Sequence, residues 1–173
     1  VLRVWDDWAE RFGYELAMTP LFEATELFER GVGESTEIVR KQMYTFSDLG
    51  GRSVTLRPEG TAGVVRAYLN AGLQGELKVA YGGAMFRYER PQAGRRRQFW
   101  QVGVEHLATE RPEADADVIE LGYRFLVDLG VPDVVVQLNS LGDPGDRPAY
   151  VAELRSWLED RVDDLCADSL ETL

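Results

Sequence analysis

The sequence predicts an α+β fold, an antiparallel sheet flanked by helices, and three observations carry that expectation. Strand-like segments at 77–81, 84–88 and 99–105 follow one another with no helix between them, and neighbouring strands without crossovers pair antiparallel. Helical apolar spacing frames them, with Leu2, Trp5, Trp8, Ala9 and Phe12 at one end and a pattern opened by Pro112 at the other. The chain of 173 residues is 45% hydrophobic, enough to bury a core and to form one compact domain.

The elements follow in order. Residues 2–12 form an amphipathic helix that Gly13 ends, and Tyr14 to Met18 reads as a strand running into Thr19-Pro20. Phe22, Leu27 and Phe28 mark a second helix before Gly31-Val32-Gly33, a glycine pair with no phosphate-loop context that reads as a turn. Strands at 43–46 and 53–56 are joined by a turn at Asp48-Leu49-Gly50-Gly51, and a helix from Thr61 to Ala71 follows. After the three consecutive strands comes a helix from Pro112 to Leu129, with Glu113, Asp115 and Asp117 where the helix dipole favours acids. A strand at 134–138 and a last helix at 148–165 complete the pattern, and the four tryptophans read as packing groups. His106 reads as a structural histidine.

Charge narrows the chemistry. The formal net charge is -11, yet Arg87, Arg90, Arg95, Arg96 and Arg97 crowd one short window that also holds Glu89. A concentrated cationic site on an acidic body suits a small polyanion, because guanidinium forks grip phosphate oxygens bidentately; a nucleoside triphosphate is the first expectation. The overall acidity argues against a nonspecific DNA or RNA binder. No apolar run approaches the roughly 18 residues needed to cross a bilayer, and the start mixes charge into its first turn, unlike a secretory signal. A single cysteine, Cys166, excludes an internal disulfide, and one His with one Cys cannot close a zinc site; a reducing, cytoplasmic setting is expected. The chain begins without Met and within a helical pattern, which reads as a piece of a longer polypeptide.

Phe86-Arg87-Tyr88-Glu89-Arg90-Pro91-Gln92, with Gly94-Arg95 and Arg97-Gln98-Phe99 after it, resembles motif 2 of the class II aminoacyl-tRNA synthetases, and of the histidyl-tRNA synthetases in particular. Leu56-Arg57-Pro58-Glu59-Gly60-Thr61 resembles that family's amino-acid-binding loop, Thr19-Pro20-Leu21-Phe22-Glu23 sits where motif 1 falls, and Leu138-Asn139-Ser140-Leu141-Gly142 is also typical. The resemblance implies a partial class II catalytic-core fold over residues 1–173: motif 1 at about 16–30, the histidine loop at 56–61 and motif 2 at about 84–105. Motif 3, its arginine, a second catalytic arginine segment and the anticodon-binding domain are absent from this sequence. A fragment of this extent is expected to be inactive alone.

The implied activity is that of a histidine–tRNA ligase: ATP, with its bound Mg2+, activates histidine to histidyl-adenylate, and the histidine passes to tRNA(His). The resemblance makes Arg87 the catalytic group, placed between the attacking carboxylate and the α-phosphate, two anions that otherwise repel. It gives ATP contacts to Arg87, Glu89, Arg95 and Phe99, with Phe99 under the adenine and Arg95 at the outer phosphates. It gives histidine contacts to Glu59, Gly60, Thr61, Arg87, Gln101 and Glu105, the last reading the imidazole. It places Pro20 in a motif 1 homodimer interface. The two-residue period of a strand puts Phe99, Gln101 and Glu105 on one face and turns Trp100 away, where this sequence departs from the family's histidine. Two alternatives stay open: a non-catalytic paralogue acting as an ATP phosphoribosyltransferase regulatory subunit, and a synthetase for proline or threonine.

Overall fold

The computed structural model describes residues 1–32, 42–90, 92–139 and 142–172. Gly33, Pro91, Ser140 and Leu141, which belong to motifs read above, lie outside them. The chain divides into two compact units, Val1–Val134 and Val135–Leu173, where the composition predicts one.

The first unit is built on a long hairpin, β5 (Leu77–Phe86) and β6 (Gln98–Leu107), paired antiparallel from Leu77↔Leu107 to Phe86↔Gln98. The sequence predicts two strands where β5 runs unbroken, because Gly82-Gly83 reads as a turn signal. The glycines instead leave room: a Cβ on Gly83 would run into the Arg57 guanidinium, and one on Gly82 would lie 3.3 Å from Leu2. Strand β1 (Glu15–Leu16) joins the other edge of β5, and it does so in parallel, Glu15↔Val79 and Leu16↔Ala80. An all-antiparallel sheet was the expectation. With the intervening residues forming other elements, the returning β5 meets β1 in the same direction.

Alternation along β5 divides the core in two. Ala80 faces α1 (Leu2–Arg11) and α4 (Pro112–Asp128), where Trp5, Ala9, Tyr14, Leu121 and Phe125 are buried with it. Trp5 and Phe125 meet edge to face at 5.1 Å, and Trp8 Nε1 donates to Asp128 Oδ2 at 2.8 Å. Each large apolar side chain so buried contributes about 1.5–3 kcal/mol. Val79, Tyr81 and Met85 face the other way, onto Val64 of α3 (Thr61–Asn70). Helix α1 ends at Gly13, whose φ of +77° lets the chain reverse into β1.

A second, small sheet has the order β2-β4-β3, all antiparallel: β2 (Phe22–Ala24), β3 (Thr45–Ser47) and β4 (Ser53–Leu56). Phe22 is therefore a strand residue paired with Leu56, and α2 (Thr25–Val32) begins only after it. The helical spacing of Phe22 with Leu27 misleads because ladder bonds to β4 claim residues 22–24. Thr25, Thr45, Ser53 and Thr55 join by hydroxyl hydrogen bonds of 2.7–3.0 Å. Thr55 is fully buried, and this network satisfies its hydroxyl. The turn at Asp48–Gly51 is as predicted, closed by Asp48 side-chain bonds to the Gly50 and Arg52 amides.

The second unit contains α5 (Arg147–Glu159) and α6 (Ala167–Thr172), with a short 3-10 turn at Val162–Asp164. The sequence predicts one helix through 165; Asp160, Asp163 and Asp164 instead fall where a continuing helix would put acids at its negative end. Segment 134–138 is not a strand: among the described residues it pairs with nothing, and Val135, Val136 and Leu138 are exposed. Trp100 and Trp157 are also exposed, at 65% and 53%, so only Trp5 and Trp8 act as packing groups.

Candidate active site

The loop between β4 and α3 is the organising piece. Glu59 turns its carboxylate onto the start of α3, accepting from the Thr61 amide at 2.5 Å and the Ala62 amide at 3.0 Å. An acid there satisfies orphan donors and complements the helix dipole. Thr61 in turn donates its hydroxyl to Glu105 Oε1 at 2.7 Å. One threonine thus links two carboxylates carried by different elements.

Between them stands Tyr81, which the sequence marks only as the end of a strand segment at 77–81. Its hydroxyl donates to Glu105 Oε1 at 3.4 Å and accepts from Gln101 Nε2 at 3.5 Å. Its ring fills a slot walled by two glycines, since a Cβ on either Gly60 or Gly103 would penetrate it. Gly60, expected as a histidine contact, therefore also makes room for Tyr81. Cross-strand register supports the arrangement: Tyr81↔Gly103, Gly83↔Gln101, Met85↔Phe99 and Val79↔Glu105 share a face. Phe99, Gln101 and Glu105 lie together, as their spacing predicts, while Val102 and Val104 pack on the opposite side.

The electrostatics of this floor favour a cation. Burial raises the Glu105 carboxyl above the ordinary carboxylate range; hydrogen bonds from Thr61 and Tyr81 pull it down, and the Glu59 charge pushes it up again. Burial likewise raises the Tyr81 phenol, helped by the charges of Glu105 and Glu59. Two carboxylates held close in a half-buried cleft repel each other, and a ligand bringing N–H donors and positive charge relieves that repulsion.

Arg87 lies just past β5, its amide still bonded across the hairpin to Arg97 O at 2.9 Å. Its Nε donates to Pro58 O at 2.9 Å, and its guanidinium sits 5.1 Å from the Phe99 ring centroid. The carbonyl beside Glu59 thus anchors the arginine, so the two predicted subsites share one loop. Toward the hairpin tip, Arg95 and Glu89 pair at 3.6 Å, with the Arg95 side chain 63% exposed. A turn with Arg95 N bonded to Gln92 O and Gly94 at φ +81° closes the tip. Arg97 stacks on Tyr88 at 3.9 Å, and Arg90 and Arg96 are exposed. Pro20 stands outside this cluster, exposed in the segment between β1 and β2. Arg57, buried although it belongs to the recognised loop, was not expected as a site residue.

Known proteins resemble this chain along nearly its whole length. The family model described as histidyl-tRNA synthetase matches residues 1–142. A histidine–tRNA ligase of Prochlorococcus marinus (strain MIT 9303) is 57% identical over 169 residues, 96% of this chain and 39% of that protein. One of Halothermothrix orenii is 54% identical over 162 residues, 92% of this chain and 39% of that protein. The chain thus spans about 39% of the length of these curated relatives. Among solved structures, apo S. aureus histidyl-tRNA synthetase superposes with a TM-score of 0.69 at 36% identity, covering 94% of this chain and 38% of that one. An ATP phosphoribosyltransferase regulatory subunit/histidyl-tRNA synthetase from Bacillus halodurans gives 0.64 at 25% identity, covering 76% and 33%. With the family model matched over most of its length and relatives above half identity along nearly all of it, the chain belongs to the histidyl-tRNA synthetase family.

Proposed function

We propose that this chain supplies the histidine subsite and one side of the ATP subsite of a histidine–tRNA ligase. The observation that carries the reading is the Thr61 bridge between Glu59 and Glu105, with Gln101 and Tyr81 beside it and Arg87 anchored one residue away on Pro58. Glu59, Thr61 and Gln101 receive the substrate's α-amino group; Gly60 lets the loop pass close to Tyr81; Glu105 accepts from the imidazole.

The histidine carboxylate attacks the α-phosphorus of ATP, forming the acyl-phosphate bond as the bond to the β-phosphate oxygen breaks and pyrophosphate leaves. Arg87 spans both anions and stabilises the charge that builds in the transition state. Phe99 supports the adenine, Glu89 contacts its edge, and Arg95 closes on the outer phosphates, where Mg2+ arrives with ATP. A terminal ribose hydroxyl of tRNA(His) then attacks the acyl carbon of the adenylate, forming the ester as the acyl–phosphate bond breaks and AMP leaves. A homodimer through the Pro20 segment and a cytoplasmic location go with this reading; exposed Leu16, Met18, Leu21 and Phe22 around Pro20 give such an interface apolar surface. Among the described residues no helix is long and apolar enough to cross a membrane.

The regulatory-subunit reading has the weaker support, because the more identical relatives are named as ligases and the Arg87–Phe99 pair is present beside the acidic floor. Titration of the full-length protein with histidine, proline and threonine tests the substrate assignment. Binding of histidine alone is expected; equal binding of proline or threonine would contradict it.

A further inference from the structure

We infer that Arg57 is the positioning residue for Arg87, an inference that rests on the synthetase reading above. Arg57 is buried to 8% exposure and directs its donors at two backbone carbonyls and one hydroxyl. Its Nε donates to Ala84 O at 2.9 Å, and its Nη1 to Thr19 O at 2.8 Å and Thr19 Oγ1 at 2.9 Å. Its own amide donates to Leu21 O at 2.9 Å, and its carbonyl accepts from Phe86 N at 3.0 Å. One residue therefore fixes the loop that carries Glu59, the segment on either side of Pro20 and the last residues of β5 before Arg87.

The connection to Arg87 is two-sided. Its backbone follows Phe86, which Arg57 O holds, and its side chain rests on the carbonyl of Pro58, the residue after Arg57. Pro58 is fully buried and its ring fixes φ, which leaves the peptide unit carrying that carbonyl one backbone torsion, ψ, relative to Arg57. Gly83 completes the device, because any Cβ there would displace the Arg57 guanidinium. Among the described residues no carboxylate pairs with this arginine; three carbonyl and hydroxyl oxygens hold its planar fork, a geometry that a lysine cannot reproduce.

A displacement of about 1 Å at a reacting group costs on the order of a hundredfold in rate. The test is histidine-dependent ATP–pyrophosphate exchange by the full-length protein. Arg57→Lys is expected to lower kcat about tenfold or more, with KM for histidine changed less than about threefold, since Glu59 keeps its bonds to the Thr61 and Ala62 amides of α3 as a second restraint. In an Arg87→Lys background, Arg57→Lys is expected to add less than about threefold, because the two act through one position. A wild-type kcat in Arg57→Lys, or losses that multiply in the double variant, would overturn the inference. If Arg57→Lys fails to fold, Thr19→Val removes one acceptor at constant shape and should lower kcat about threefold with KM unchanged; an unchanged kcat would overturn the inference equally. A wild-type protein without exchange would overturn the underlying reading and this inference with it.

Discussion

Thr61 donates its hydroxyl to Glu105 at 2.7 Å across 44 residues of sequence, while its own amide is held by Glu59. This bond joins the start of a helix to the edge strand of a sheet, and it places two carboxylates where a substrate amine and imidazole are proposed to lie.

Glu105 sets opposite demands on stability and binding. Its carboxyl is raised chiefly by burial, so the folded, ligand-free protein holds that proton more tightly than the unfolded chain. Its contribution to stability is therefore present below the unfolded pKa and is lost as pH rises through the folded one. Glu105→Gln should raise the urea midpoint of the full-length protein at neutral pH and flatten its decline above the carboxylate range. It should also raise KM for histidine by about tenfold or more, as expected for losing a charged acceptor. A lower neutral-pH midpoint with unchanged KM would count against both halves.

Glu76 predicts the reverse slope. It accepts from His106 and Arg111, and the His106 bond first, then that of Arg111, holds its carboxyl below the ordinary range. That contribution is present above the unfolded pKa and lost as pH falls through the folded one. Glu76→Gln should weaken the loss of stability on acidification; an acid limb unchanged in a pH series of urea melts would refute the assignment.

The Tyr81 slot makes a packing prediction. Gly60→Ala and Gly103→Ala each drive a methyl into the same ring, and overpacking costs about 1–3 kcal/mol or more. Tyr81→Val should relieve both, so each double variant should be more stable than the sum of its single changes. Additive losses in denaturant titration would mean the slot is not shared.

Arg95 should separate from Arg87 kinetically. Its pair with the mostly buried Glu89 side chain is long, at 3.6 Å, and its own guanidinium is exposed, so leaving it to meet phosphate costs little, about 0–1 kcal/mol. Arg95→Ala should raise KM for ATP severalfold and change kcat less; a dominant kcat loss would assign it to the reacting centre instead.

Much of the site was legible because it is local. The two-residue period of β6 puts Phe99, Gln101 and Glu105 on one face, and the motif around Arg87 brings its companions within a single hairpin. What the sequence hid depends on contacts between distant segments. Tyr81 reads as one more apolar strand residue until Gly60 and Gly103 are seen walling its ring. Arg57 reads as a loop cation until Thr19 and Ala84 close on it. Gly82-Gly83 reads as a turn for the same reason: a missing side chain signals flexibility in sequence, whereas here it signals a neighbour. Segment 134–138 shows the converse, a β-rich run that remains unpaired among the described residues.

The most direct test of the central claim is histidine-dependent ATP–pyrophosphate exchange by the full-length protein, wild type beside Arg87→Ala. Exchange is expected with histidine and not with proline or threonine, with a loss of at least about a hundredfold in Arg87→Ala. Histidine binding without exchange in the wild type, or an Arg87→Ala variant that exchanges at the wild-type rate, would contradict that claim.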